Sequence, residues 1–250
     1  MDKSSSAPRR TERLKTFTGK LTGSTLVQRA TYLNSGNSKK SLSVLTPVGP
    51  GHEQSVLRCT ASVALAAKTC PLEFSRLEHL IFDDTQGEHG RAAARNMLQA
   101  AADTDWLLWM DADDPLPLTA LRACLNNMPG WDGMWGECNS VGHGETGSRD
   151  GQTWPFTWET LVGTNPWFGL QMGYCIKTEI QQQHLWKEQA AEDYEMYLRL
   201  WHHHKCIKVR EPLTVRDRSI RSTGPKAVEV KEWVEVSQSL QSEWKLRTNS

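Results

Sequence analysis

The sequence predicts an α/β protein in which helices flank a central, mostly parallel sheet, and three features support this prediction. Short apolar runs alternate with longer segments of helical period between residues 41 and 138. Runs such as Trp106–Met110 are apolar throughout, which is typical of strands buried on both faces of a parallel sheet. Two runs end in acidic clusters, Asp83-Asp84 and Asp111-Ala112-Asp113-Asp114. Because the carboxyl ends of parallel strands meet at one edge, these aspartates should stand where α/β sheets bind ligands.

The first half of the predicted domain has the element order β-α-β-α-β. Apolar and β-branched residues predict a strand over Ser41–Val48, which is closed by Gly49-Pro50-Gly51. Helical spacing of small and apolar residues then predicts a helix from about His52 to Lys68. The next strand, helix and strand are expected over Leu77–Phe82, Gly90–Ala102 and Trp106–Met110.

The second half alternates less regularly. Helices are expected over Leu116–Met128, Thr178–Trp186 and Glu192–Trp201, strands over Trp131–Cys138, Met172–Ile176 and Cys206–Val209, and a final helical tail from about Ala227 to Trp244. Asp114, which precedes Pro115, is expected to cap the first of these helices. The segment 142–153 is rich in Gly, Ser and charged residues and is expected to form a loop over the site.

With 250 residues the chain can bury one substantial core. Residues 1–40 carry nine Lys or Arg against two acidic residues and are predicted to be a mobile basic arm. Residues 41–222 are predicted to form the domain, and residues 223–250 a helical tail packed on it.

Composition excludes several classes of function. The formal net charge is zero, so nothing in the overall charge suggests a nucleic-acid partner. No apolar run approaches the roughly 20 residues of a transmembrane helix, and the first 40 residues lack the apolar segment of a signal peptide. The six cysteines show no CxxC spacing, so they are expected to be reduced thiols in a cytoplasmic protein.

The cluster Asp111-Ala112-Asp113-Asp114 points to a metal. Carboxylates this close raise one another's pKa unless a cation neutralises them. Mg²⁺ and Mn²⁺ prefer oxygen ligands, and Mg²⁺ is commonly held by one or two carboxylates plus substrate phosphates. Asp111 and Asp113 would share one side if the extended backbone persists. The alternative is a helix N-terminus with a solvated turn, and both can hold if Asp114 is the capping residue.

Five motifs, taken in chain order, resemble those of the family 2 glycosyltransferases. They are Thr46-Pro47 after the first strand, Asp83-Asp84 after the second, Arg95-Asn96 in the helix between strands, the aspartate cluster at 111–114, and Glu192-Asp193-Tyr194. The likeness spans roughly Ser41 to Arg221. It implies the A-type glycosyltransferase fold, a single Rossmann-like domain whose DXD motif binds a divalent metal and the donor diphosphate.

The resemblance also implies residues for the nucleotide. Thr46 and Pro47 would line its pocket. Asp84 would accept a hydrogen bond from the base, which in the family is usually uracil, and Asp83 would lie beside it. Arg95 would help to shape the pocket.

The implied chemistry is an inverting, metal-dependent transfer by a hexosyltransferase-type enzyme. Asp111 would face the ribose and diphosphate and share Mn²⁺ or Mg²⁺ with Asp113. Asp193 would be the catalytic base that deprotonates an acceptor hydroxyl. The glutamine-x-x-arginine-tryptophan signature of processive synthases is absent, which favours transfer of a single sugar.

The expected partners are a nucleoside-diphosphate sugar, with a UDP-sugar favoured, and a hydroxyl acceptor that is a glycan, a lipid-linked molecule or a small molecule. A homo-oligomer is possible. Two other functions stay open. A sugar nucleotidylyltransferase normally needs a glycine-rich, basic loop after the first strand, and the segment 46–52 has no Lys or Arg. A non-catalytic nucleotide-sugar-binding module is the third possibility.

Several charged residues have ordinary structural explanations. Glu192 is expected to favour a helix N-terminus, and Glu195 with Arg199 to form a surface ion pair at i,i+4 spacing. His202-His203-His204 are read as a solvated helix end, although some A-type transferases use a histidine from this side as a metal ligand. Three basic residues near the end of the domain fit a solvated loop at least as well as a diphosphate contact: Arg216, Arg218 and Arg221.

Overall fold

The computed structural model describes residues 16–17, 27–33, 40–70, 73–141, 147–148, 154–166, 170–217 and 227–248. Its strands are β1 (Thr16–Phe17), β2 (Val27–Leu33), β3 (Ser41–Val48), β4 (Arg76–Asp83), β5 (Trp106–Trp109), β6 (Gly133–Val141), β7 (Gly147–Ser148), β8 (Tyr174–Lys177) and β9 (Cys206–Asp217). Its helices are α1 (Ser55–Thr69), α2 (Arg91–Ala101), α3 (Ala120–Asn127), α4 (Trp158–Gly163), α5 (Thr178–Gln181), α6 (Glu192–His203) and α7 (Ala227–Thr248).

All nine of these strands belong to one sheet, in the order β1-β2-β4-β3-β5-β8-β6-β7, with β9 paired to β6. The central strands β4, β3 and β5 are parallel, as predicted. The flanking pairs are antiparallel except for β6 with β9. The prediction of an α/β domain is therefore confirmed, and its mostly parallel part is the centre of the sheet.

Side chains that alternate along the central strands fill two cores. Leu42 and Val44 pack with α1 and α3 on one face, whereas Leu45 belongs to the core that contains α2 and α6 on the other. In β5, Leu108 and Trp109 divide in the same way. The apolar runs lack a polar face because helices cover both sides of these strands.

Part of the predicted mobile arm is an ordered strand. Residues 27–33 pair with β4 along seven residues, and Arg29 Nη1 donates to Glu78 Oε1 over 3.3 Å. Glu78 is buried on β4, where Arg76 is one nearby cation and Arg29 from the partner strand is a second. A buried carboxylate is stabilised by such partners. The expectation of a mobile arm is wrong for residues 27–33, and most of residues 1–39 lie outside the described part of the chain.

Other element boundaries also differ from expectation. Helix α3 begins at Ala120 rather than near Leu116, with Thr119 before it, so Asp114 does not cap it. Helix α5 ends at Gln181, well before Trp186. The expected loop at 142–153 lies outside the described residues except for 147–148, which pair with β6. Among the described helices, none combines the length and the apolar character that a bilayer crossing requires.

Candidate functional site

A cavity of about 700 Å³ opens at the carboxyl ends of β3, β4 and β5. This volume is within the usual range of roughly 300–1,000 Å³ for small-molecule sites. Six of the eight site residues predicted from the sequence line it: Pro47, Asp84, Arg95, Asp111, Asp113 and Asp193. The other two, Thr46 and Asp83, do not. The parallel centre of the sheet thus brings most of the predicted residues to one place.

The aspartate cluster forms a tight turn directly after β5. The extended backbone ends at the strand, and the amide of Asp114 donates to the carbonyl oxygen of Asp111 over 3.2 Å. The premise that extended geometry puts Asp111 and Asp113 on one side is therefore wrong, although both reach the cavity. Asp114 accepts a hydrogen bond from Thr214 Oγ1 over 3.3 Å, which holds the turn against β9.

The turn accumulates negative charge. Burial raises the pKa of Asp113, and the charge of Asp111 raises it further. Burial raises the pKa of Asp114 well above its usual range, and both neighbouring carboxylates add to the effect. His52 and Arg216 oppose these shifts from the cavity wall. A cation bound at the turn would stabilise the ionised carboxylates.

The donor set at this turn consists of carboxylate oxygens, which fits Mg²⁺ or Mn²⁺. Within the described residues, no three His, Cys, Asp or Glu side chains converge closely enough to hold a metal by themselves. Asp111 and Asp113 could therefore hold such a metal only together with ligands from elsewhere, as when substrate phosphates complete the coordination of Mg²⁺.

Arg95 connects the aspartate turn to the start of α6. Its Nη1 donates to Glu192 Oε1 over 2.7 Å and its Nη2 to Asp111 Oδ1 over 3.4 Å. The guanidinium is buried and lies 4.5 Å from the ring centre of Trp186. Burial lowers the pKa of Arg95, but Glu192 and Asp111 more than reverse this and raise it overall. The arginine remains charged and fixes the spacing between the turn and α6.

Asp193 is the second residue of α6 and lies at the cavity. Burial and the adjacent Glu192 carboxylate raise the pKa of Asp193 to about 6. Its Oδ1 accepts hydrogen bonds from the Tyr194 amide over 2.8 Å and from Trp233 Nε1 over 3.0 Å. A carboxylate with a pKa near neutrality in a cleft is well suited to general base catalysis.

Asp84 organises the loop between β4 and α2. Its two oxygens accept from the amides of Glu88, His89 and Gly90, and Oδ1 lies 3.1 Å from His89 Nδ1. Burial raises the pKa of Asp84, but these hydrogen bonds lower it overall. These contacts use most of its acceptor capacity and hold the loop in place, and the expected hydrogen bond from Asp84 to a base stays a prediction.

Thr46 and Asp83 lie away from the cavity. Thr46 is on the α1 face of β3, where its hydroxyl is 2.9 Å from His79 Nε2 and 3.7 Å from the Cys59 sulfur. Because side chains alternate along a strand, Thr46 points into the core, whereas the next residue, Pro47, reaches the cavity. Asp83 is exposed and accepts from the Thr85 amide over 3.1 Å. Neither side chain supports the nucleotide contact that the motif implied.

Among the further residues that line the cavity, four make contacts that bear on the site. Glu192 is buried by its ion pairs with Arg95 and Arg91 rather than being a simple helix start. Glu188 Oε2 accepts from the Ala92 amide at the start of α2. His52 lies 3.9 Å from Asp113, and Trp233 comes from the last helix. Glu188 and Glu192 could have been suspected from the sequence, because both are acidic and closely precede Asp193. Nothing in the sequence linked Trp233 to the site.

The remaining charged residues divide between site and scaffold. Arg216 lines the cavity near the aspartate turn, whereas Arg218 and Arg221 lie outside the described residues. Glu195 is buried between Arg199 and Lys187, so the expected surface pair is in fact mostly enclosed. His202–His204 stand at the far end of α6, about 15 Å from Asp193 at the usual helical rise. None of these three histidines lines the cavity.

A comparison with family models matches residues 62–164 to Glycosyl transferase family 2. This segment includes Asp84, Arg95 and the aspartate turn, but it ends before Asp193 and Trp233. A comparison with curated proteins gives no significant match.

Solved structures share the fold at low identity. TarS 1–349 of S. aureus in complex with UDP-GlcNAc has a TM-score of 0.55 and 13% identity, covering 82% of this chain and 70% of that one. Glucosyl-3-phosphoglycerate synthase of Mycobacterium tuberculosis with Mn²⁺, UDP-glucose and phosphoglyceric acid has a TM-score of 0.51 and 13% identity. The match covers 83% of this chain and 80% of that one. Mannosyl-3-phosphoglycerate synthase of Rubrobacter xylanophilus has a TM-score of 0.51 and 12% identity. The match covers 84% of this chain and 75% of that one.

The match in length is partial, because the chain spans 60% of another TarS 1–349 structure and 37% of a longer TarS structure. The motif resemblance drawn from the sequence is nevertheless confirmed, since the family model covers three of the five motifs, at 83–84, 95–96 and 111–114, and the fold matches enzymes of this kind. The family 2 segment, residues 62–164, is thus the part of the chain that matches this family model, and it lies within an A-type glycosyltransferase fold.

Proposed function

We propose that this protein is a metal-dependent, inverting glycosyltransferase that moves a single sugar from a nucleoside-diphosphate sugar to a hydroxyl acceptor. The observation that carries the proposal is the Arg95 bridge, which ties Asp111 and Glu192 together and so holds Asp193 and the aspartate turn at one cavity. A base beside a carboxylate turn of this kind is the arrangement that transfer from a diphosphate donor requires.

A UDP-sugar is the favoured donor. The TarS structure contains UDP-GlcNAc, and the glucosyl-3-phosphoglycerate synthase structure contains UDP-glucose with Mn²⁺. In our proposal Pro47 and the loop held by Asp84 surround the nucleotide, and Arg216 faces the diphosphate. Mn²⁺ or Mg²⁺, held by Asp111, Asp113 and diphosphate oxygens, would neutralise charge on the leaving group.

The reaction then depends on Asp193. Its carboxylate removes the proton from the acceptor hydroxyl as the oxygen attacks the anomeric carbon, on the face opposite the departing nucleoside diphosphate. The bond from the anomeric carbon to the diphosphate oxygen breaks, and the electron pair leaves with that oxygen. The configuration of the anomeric carbon is inverted.

The direct test is Asp193→Asn in the full chain. We expect release of UDP from UDP-GlcNAc or UDP-glucose with Mn²⁺ to fall roughly 10²–10⁴-fold, the usual contribution of a general base. Donor affinity, measured by calorimetry, should change little, since Asp193 acts on the acceptor. Asp103→Asn is the matched control, because Asp103 is exposed and pairs with Arg76 at the other end of the sheet. Undiminished turnover by Asp193→Asn would exclude this function for the site.

A further inference from the structure

The C-terminal helix α7 forms one wall of the cavity, although it lies outside the family 2 segment. Val230, Glu232 and Trp233 from its first half line the cavity. Its second half is fastened to the domain, since Gln241 Nε2 donates to the Thr164 carbonyl over 2.6 Å and Trp244 packs edge-on against Trp158. The helix is therefore attached at a distance from the cavity and extends back over it.

The contact between α7 and the proposed base is specific. Trp233 Nε1 donates to Asp193 Oδ1 over 3.0 Å, and the Tyr194 amide donates to the same oxygen over 2.8 Å. Within the described residues, no donor reaches Oδ2 of Asp193. One oxygen of the carboxylate is thus fixed by two hydrogen bonds, whereas the other accepts none from these residues.

The hydrogen bond is not a general consequence of burying indoles in this protein. Five other tryptophans in the described residues have a buried N–H group without a partner: Trp109, Trp135, Trp158, Trp186 and Trp201. Trp233 is less deeply buried than most of these, yet its N–H meets a carboxylate in the cavity. Packing alone would not select this partner.

We propose that Trp233 is a positioning residue for Asp193, so that α7 is an integral part of the active site rather than a tail packed on the domain. Its indole N–H holds Oδ1 in place and directs Oδ2 towards the acceptor. This inference rests on the proposed function, because it assigns the geometry of the proposed base.

The groups around Asp193 determine how the pKa of Asp193 should change when the Trp233 indole is removed. Glu192 on the same helix raises the pKa of Asp193, whereas Arg95 on α2 and the Trp233 N–H lower it. The charge of Asp193 also acts on the buried hydroxyls of Tyr174 on β8 and Tyr197 on α6, raising the pKa of each. Removing the indole donor while the others remain should therefore raise the pKa of Asp193 above about 6.

The test compares Trp233→Phe with Trp244→Phe, which makes the same change in the same helix away from Asp193. UDP release from UDP-GlcNAc and UDP-glucose with Mn²⁺ is measured across pH 5–9. We expect Trp233→Phe to lower kcat by at least about tenfold, with KM for the donor within about twofold, and to move the acid limb to higher pH. Trp244→Phe should stay within about twofold of the parent, and Trp233→His, which keeps a ring N–H, should recover part of kcat.

Each contrary result is informative. Unchanged or increased kcat in Trp233→Phe, while Asp193→Asn is inactive, would overturn this inference and leave the proposed function standing. A loss of kcat with no shift of the pH profile and no recovery by Trp233→His would also overturn it, because packing would then be the cause. Active Asp193→Asn would instead remove the proposed function.

A second measurement does not depend on turnover. The indole N–H signal of Trp233 in an NMR titration should move with a midpoint near the pKa of Asp193, about 6, and lose this response in Asp193→Asn. A pH-independent signal in the parent protein would overturn the inference even if no donor is turned over.

Discussion

At the scale of single residues, Arg95 determines whether the site exists. It is buried between two carboxylates that belong to different elements, Asp111 after β5 and Glu192 at the start of α6. Removing one partner of a buried ion pair leaves an uncompensated charge, which costs about 3–5 kcal/mol. Glu192 would keep only Arg91, whose side chain is mostly exposed.

A double-mutant cycle at this pair therefore has a defined outcome. Arg95→Met should lower the free energy of unfolding by about 3–5 kcal/mol, and Glu192→Gln by a similar amount. The double variant should lose clearly less than the sum of the two, because neither charge is then left alone. Urea unfolding of the four proteins measures this coupling. Additive losses would mean that Arg95 and Glu192 stabilise the fold independently.

The pH dependence of turnover follows from Asp193. Burial and Glu192 raise the pKa of this carboxyl to about 6, and only its ionised form can accept a proton from the acceptor. Turnover should thus rise with pH through about 6 and fall roughly tenfold for each pH unit below it. A rate profile of kcat/KM measures this limb. A limb near pH 4 would show that Asp193 is solvated during the reaction or is not the base.

The sequence could place a residue in the site where its type and its position after a predicted strand were enough to locate it. Asp111 and Asp113 follow a strand whose end lies at the sheet edge, so their place followed from topology, whereas Asp193 was assigned from the family resemblance. Thr46 was misassigned because the face of β3 that it occupies depends on the packing of α1. Glu192 was underrated because only the folded chain brings Arg95 from nearly a hundred residues away.

At the scale of elements, the long apolar runs were predictable and the polar strands were not. Strands β3, β4 and β5 are buried on both faces, so they stand out in the sequence. Strand β2 has the polar sequence VQRATYL, and it becomes a strand because β4 offers it an edge and Glu78 offers Arg29 an ion pair. Tertiary contacts, rather than local propensity, decide such a segment.

The close pairing of β6 with β9 depends on one glycine. A Cβ at Gly136 would lie 2.4 Å from Leu213 Cγ and 2.6 Å from the Leu213 backbone nitrogen, at an irregularity in the β6–β9 pairing. Gly136→Ala should lower stability by about 3 kcal/mol, since backbone atoms cannot move aside cheaply. Gly163→Ala is the control, because nothing lies within 4 Å of its added Cβ. Thermal melting of both variants tests this, and equal melting temperatures would refute the close approach.

At the scale of the whole molecule, the cavity is assembled from segments far apart in the chain: 47–52, 84–95, 111–114, 188–193 and 230–233. The first three follow the strands of the parallel centre, and a sequence reading could bring them together. The fourth and fifth arrive on α6 and α7, whose packing is set by an aromatic cluster that includes Tyr194, Trp201 and Trp244. The proposed base Asp193 and its partner Trp233 lie beyond the family 2 segment, which ends at residue 164, and they reach the cavity through this later packing.

Ligand binding across these segments should stabilise the whole fold. A ligand present at about 100 times its Kd adds about 2.7 kcal/mol, which corresponds to a rise in Tm of roughly 5–10 °C for a chain of this size. If Asp111 and Asp113 hold a metal only together with diphosphate oxygens, UDP with Mn²⁺ should give this rise, whereas either one alone should give much less. Asp113→Asn should abolish the synergy, and Asp103→Asn, remote from the cavity, should retain it. Differential scanning fluorimetry of the three proteins makes the measurement, and a full shift by UDP without metal would show that Arg216 and the loop backbone suffice to hold the diphosphate.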